Sequence, residues 1–124
     1  MSSRVRPLLL TLPFLVLAGT ARADLVLFTP PVVKQTGEGL TCVAVNVSTK
    51  ARQMKADVLE FFSDQPLDSE QDLVDPGGVV SASGDGQDGT YCRFTIDGKS
   101  KDVRASGQVR VISTGATLAI SQAQ

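Results

Sequence analysis

The sequence predicts an all-β fold: a single sandwich of immunoglobulin-like size, with about seven strands and one disulfide. Three observations carry that expectation. Short β-branched or alternating segments recur through residues 24–124, separated by Gly, Pro and Asp-Gly turn signals. Cys42 and Cys92 are the only cysteines, an even pair spaced unlike a CxxC motif. Residues 1–23 have the order of a secretory signal peptide. Arg4 and Arg6 precede the apolar run Leu8–Leu17, and Ala21-Arg22-Ala23 supplies a small-x-small cleavage site. That run is interrupted by Pro13 and is far shorter than the ~20 residues a membrane-spanning helix needs. Export places the cysteines in an oxidising compartment, periplasmic or extracellular, where such a pair is read as a bridge. Closing a loop of this length stabilises a fold by roughly 4 kcal/mol on the chain-entropy argument.

The elements follow in order along the expected mature chain, residues 24–124. Leu25–Phe28 is a short strand stopped by Pro30-Pro31, which confines it to a kinked edge. Gly37-Glu38-Gly39 is a turn, and Leu40–Ser48 is β-branched and strand-like. Residues 51–62 fit either a helix capped by Thr49 or a strand with Met54, Ala56, Val58 and Phe62 on one face. Strand is preferred, because its neighbours are β and a hairpin is the shortest connection. Ser63–Val80 is a long polar connection, and Val79–Ala82 is a candidate short strand. Gly89–Ile96 is a strand closed by the Asp97-Gly98 turn. Val103–Ile112 alternates most cleanly, with Val103, Ala105, Gly107, Val109 and Val111 on one face. Leu118 and Ile120 mark a last short strand.

The pattern departs from a true immunoglobulin domain, which packs a tryptophan on its disulfide and sets a tyrosine two residues before the second cysteine. Tryptophan is absent, and Tyr91 stands one residue before Cys92, on the opposite face of its strand. The segments Thr41-Cys42-Val43-Ala44-Val45-Asn46-Val47-Ser48 and Tyr91-Cys92-Arg93-Phe94 resemble those of small exported bacterial proteins of immunoglobulin-like size. The resemblance implies no catalytic or binding residues.

Composition excludes several classes of function. No histidine occurs, which removes Ser-His-Asp and Cys-His nucleophiles and the commonest zinc ligand. No GxSxG, HExxH, P-loop or GxGxxG motif occurs, and no enzyme activity or cofactor is expected. Residues 24–124 carry nine basic and thirteen acidic side chains, a net charge of −4 that argues against nucleic acid as a partner. No second apolar run suits a membrane span. Asn46-Val47-Ser48 is a glycosylation acceptor only in a eukaryotic secretory pathway.

Three candidate sites remain. If Cys42 points inward, Val43, Val45 and Val47 point outward, and a hairpin would set Leu59 and Phe61 beside them as an apolar interaction face. Cover by Ser63–Val80, or a bulge that shifts the register, is the competing account. Next, residues 57–88 contain nine carboxylates, among them Asp85 and Asp88, and no basic residue, a composition suited to a hard cation. The spacing matches no calcium loop, and a solvated acidic turn is preferred. Finally, Tyr91 and Arg93, opposite Arg104 and Arg110 in a hairpin over 90–112, offer an anion face. The leading expectation is a non-enzymatic exported module that engages an unknown protein partner, or a second copy of itself, at the cell envelope. A small-ligand module for a cation or an anionic glycan is the alternative.

Overall fold

A computed structural model describes residues 24–63, 65–86 and 89–124, so the signal peptide expected over 1–23 lies outside them. The described chain is all-β, with eight strands rather than about seven. They are β1 (Leu25–Phe28), β2 (Glu38–Asn46), β3 (Arg52–Glu60), β4 (Asp68–Val74), β5 (Val79–Gly84), β6 (Thr90–Ile96), β7 (Val103–Val111) and β8 (Thr117–Gln122). They form two antiparallel four-stranded sheets, ordered β1-β6-β3-β4 and β5-β2-β7-β8. Residues 51–62 are strand over most of their length, as the sequence predicts, and β4 is the strand it hides.

Strand alternation builds the core. Leu40, Cys42 and Ala44 of β2, with Val80, Ala82, Val103 and Ala105, face Met54, Ala56, Val58, Phe94 and Ile96 across the interior, and all are buried. Cys42 and Cys92 join the sheets through this layer, with Sγ–Sγ 2.05 Å and Cα–Cα 5.6 Å. Gly107, the partner of Cys42 on β7, leaves room for the bridge, because a Cβ there would lie 3.0 Å from Cys92 Sγ. Burial of the bridge fits an oxidising, exported compartment. Among the described residues no helix is long and apolar enough to cross a membrane.

Two connections that resemble hairpins in the sequence are arches between the sheets. β2 pairs with β5 and β7 rather than β3, and β6 pairs with β1 and β3 rather than β7. The first arch, residues 47–51, is tied down by Asn46, which is fully buried. Its Nδ2 donates to the carbonyls of Lys50 and Val74, both at 2.8 Å. Its Oδ1 accepts from the Ser48 N–H at 2.9 Å and the Ser48 hydroxyl at 2.7 Å. Every hydrogen-bonding position of the side chain is thus occupied, and none is left for a glycan.

The sheet edges are managed differently. Phe28 and Gln124 exchange backbone hydrogen bonds, so the chain end lines the outer edge of β1. β4 pairs only with β3, and its positions opposite Val58, Ala56 and Met54 are Asp68, Glu70 and Asp72. At these positions Glu70 and Asp72 are exposed and Asp68 half-buried, and charges of this kind on an edge strand discourage another strand from pairing there. They also erase the apolar alternation by which a strand is recognised in sequence. The Asp68 carboxylate accepts from the Ser83 N–H at 3.0 Å, reaching the neighbouring edge strand β5.

Candidate functional site

The arches exchange the halves of the two faces expected from sequence. Val43 and Val45 lie on the outer face of the β5-β2-β7-β8 sheet, whereas Leu59 and Phe61 belong to the outer face of the other. Tyr91 and Arg93 likewise share a sheet with Leu59, while Arg104 and Arg110 share one with the valines. Neither expected grouping is a contiguous surface. Val43 is flanked by Ser81 and Ser106, and Val45 by the exposed Val79 and by Arg104, so the half-buried valines are separated by polar neighbours into isolated spots rather than covered by Ser63–Val80. Val47 is exposed in the first arch. Arg104 donates to its neighbour's carbonyl, Val103 O, at 3.0 Å, and Arg110 Nε donates to Gln108 Oε1 at 3.1 Å.

The outer face of β1-β6-β3-β4 carries a feature that sequence reasoning missed. Tyr91 stands opposite Leu59, and Phe28 stands beside Arg93 on β1. The rings of Phe28 and Tyr91 are 6.4 Å apart, those of Tyr91 and Phe61 5.9 Å, and those of Phe61 and Phe62 6.1 Å, all tilted or edge-on. Four of the five aromatic residues of 24–124 therefore stand in one row outside the core, and only Phe94 is inside. Phe28 is 47% exposed, Phe61 43% and Phe62 98%. Phe62 also has φ = 67°, the left-handed region that bulky residues avoid. Gly89 packs against Phe61, whose ring lies 2.7 Å from where a Cβ would stand, so a side chain there would displace the row. β3 ends at Glu60, so Phe61 and Phe62 lie in the turn beyond it, and Phe62, expected on the inner face with Met54, Ala56 and Val58, is instead exposed.

A charged group adjoins the row. Asp57, on the outer face of β3, is fully buried, accepts from Arg93 Nε at 3.1 Å and pairs with Arg93 Nη2 at 3.1 Å. Ser69 Oγ donates to it at 2.6 Å, and Lys55 Nζ lies 3.9 Å away. Arg93 is thereby fixed with part of its guanidinium exposed beside Phe28 and Tyr91, a rigid cationic edge on an aromatic surface.

Among the described residues, which leave out Asp64 and Asp88, the acid-rich segment 57–88 does not converge. Asp57 belongs to the outer face, Asp68, Glu70 and Asp72 follow β4, and Asp88 lies outside the described residues. Asp85 and Glu60 act electrostatically on Lys34, which is buried and donates to Thr90 Oγ1 at 2.8 Å and to the Gly86 carbonyl. Burial lowers the Lys34 pKa, while Glu60, Asp85 and Glu38 oppose that shift. The cation held at this acidic end is the protein's own. Among the described residues no group of three His, Cys, Asp or Glu side chains could hold a metal ion.

Comparison with protein-family models, with curated proteins and with solved structures finds no match to this chain.

Proposed function

We propose that the protein is an exported, non-catalytic binding module that engages a protein partner at the cell envelope through the row Phe28–Tyr91–Phe61–Phe62. The row itself carries this reading. Aromatic side chains with a nearby arginine dominate the energetic centres of protein interfaces. A 98%-exposed phenylalanine in the left-handed region has no local stability to recommend it. Arg93, immobilised by Asp57, adds a charged contact whose ordering cost is met before binding.

The test is photocrosslinking in the producing cell. Benzoylphenylalanine replaces Phe62 or Phe28 in one pair of strains, and Val79 or Ile120, on the opposite sheet, in another. The expected result is one protein adduct, shared by positions 62 and 28 and absent from positions 79 and 120. Sedimentation of the purified protein over a wide concentration range identifies an adduct formed with a second copy. Equal adducts from all four positions, or none from any, would remove the reading.

A further inference from the structure

The arches meet at one end of the sandwich in a groove of about 660 Å³, lined by Ser48, Lys50, Arg52, Lys99, Lys101 and Asp102 among others. Four of the nine basic side chains of residues 24–124 gather there, in a chain whose net charge over those residues is −4. Their roles differ. Arg52 is consumed by the protein, with Nη2 3.3 Å from Asp102, Nη1 donating to the Asp97 carbonyl at 3.2 Å and Nε donating to Ser48 Oγ at 3.4 Å. Asp102 also accepts from the Lys99 N–H at 2.9 Å. Asp97, at the rim, accepts the Gln53 N–H through its carboxylate at 3.1 Å. Lys50, Lys99 and Lys101 are exposed, and no carboxylate among the described residues lies within 4.0 Å of their ammonium groups.

From this arrangement we infer a binding site for a ligand with at least two phosphate or sulfate groups, gripped by Lys50, Lys99 and Lys101 over a floor formed by the Arg52–Asp102 pair. Three ammonium groups supply point charges and rotatable donors, which suit tetrahedral oxyanions rather than the planar, bidentate recognition typical of arginine. The groove is larger than one phosphate fills and falls within the size range of small-molecule sites. Asn46 holds the first arch from below, and the Lys99–Asp102 hydrogen bonds hold the second, so the lysines are mounted on fixed backbone. The groove is independent of the aromatic row, whose residues do not line it.

Titration of the oxidised protein, produced from the full chain, with inorganic pyrophosphate and separately with a sulfated disaccharide tests the site through amide chemical shifts. Saturable shifts confined to residues 47–52 and 98–102 are expected with at least one probe. The tighter probe identifies the oxyanion. The triple variant Lys50→Gln/Lys99→Gln/Lys101→Gln should weaken binding at least ~10-fold, the loss of about 1.4 kcal/mol. Lys55→Gln/Arg104→Gln removes two positive charges elsewhere and should leave the affinity within about twofold, well under that threshold. Equal losses in both variants, shifts spread over every lysine, or no saturation with either probe would overturn the inference.

Discussion

Replacing Asn46 with alanine removes the side chain that holds the first arch, and its cost can be worked bond by bond. Four hydrogen bonds disappear: two from Nδ2 to the carbonyls of Lys50 and Val74, and two to Oδ1 from Ser48. A net value of about 1 kcal/mol per bond gives a ceiling near ~4 kcal/mol. The losses are unequal. The single Ser48 hydroxyl proton, released from Oδ1, can turn to the Lys50 carbonyl 2.9 Å away, and the Ser48 N–H is near enough to solvent to recover water. The Val74 carbonyl bond is buried, and an unsatisfied buried acceptor costs about 1–3 kcal/mol. The expected total is about 3 kcal/mol, or roughly 12–24 °C in the melting midpoint of a domain this size. Urea unfolding of the oxidised protein measures it, with the slope expected to stay constant. Asn46→Asp keeps the volume but turns a double donor into a carboxylate facing two carbonyls, so at neutral pH it should be at least as unstable. A loss below about 1 kcal/mol in Asn46→Ala would show that the arch is not held in this way.

Three further outcomes are expected. Cys42→Ala/Cys92→Ala, which opens a bridge between residues 50 apart, should lose roughly 4 kcal/mol, measured by thermal unfolding beside the oxidised parent. Phe62→Gly should raise the melting midpoint, because it relieves a left-handed φ of about 1–2 kcal/mol while removing a ring that buries almost nothing, and the same change should weaken partner capture. Asp102 has a pKa lowered from 3.8, chiefly by the Lys99 N–H, with Arg52, Lys101 and Lys99 adding to the effect and burial opposing it. A lowered carboxyl pKa stabilises the fold above the unfolded value and loses that contribution as pH falls through the folded one. Asp102→Asn should therefore be less stable than the parent at neutral pH, with the gap closing below about pH 3.8 in an acid unfolding series.

How much of this was legible beforehand divides along a physical line. β7 could be read directly because Val103, Ala105, Gly107 and Val109 alternate with polar residues, and period-two burial is a property of one strand alone. The bridge was legible from the even cysteine count. β4 was not, because Asp68, Glu70 and Asp72 occupy the positions where an interior strand would show apolar residues. Strand partners were a separate matter. Thr49-Lys50 and Asp97-Gly98 mark reversals of direction, and a reversal within one sheet has the same local composition as an arch between two. That ambiguity put Leu59 and Phe61 with the valines, and Tyr91 and Arg93 with Arg104 and Arg110. Leu59 is in fact buried, and the other residues are at least partly exposed but in exchanged groupings. The aromatic row and the lysine groove depend on those non-local pairings, so neither could be read as a motif.

The strand order also governs when the chain can settle as it is made. β1 pairs with β6, and β2 waits for β5 and then β7, so no strand before Asn46 meets a sheet partner until Val79 has appeared. The β3–β4 hairpin is the first pair available, and it carries three carboxylates at the positions that would face the interior. A topology dominated by distant pairings folds slowly, because loop closure precedes the contacts that reward it. The amino-terminal half therefore emerges without its sheet partners. Cys92 arrives on β6, after β1, β3 and β4 but before β7 and β8, so the bridge can close only after most of the first sheet has been made and while the second is still half complete.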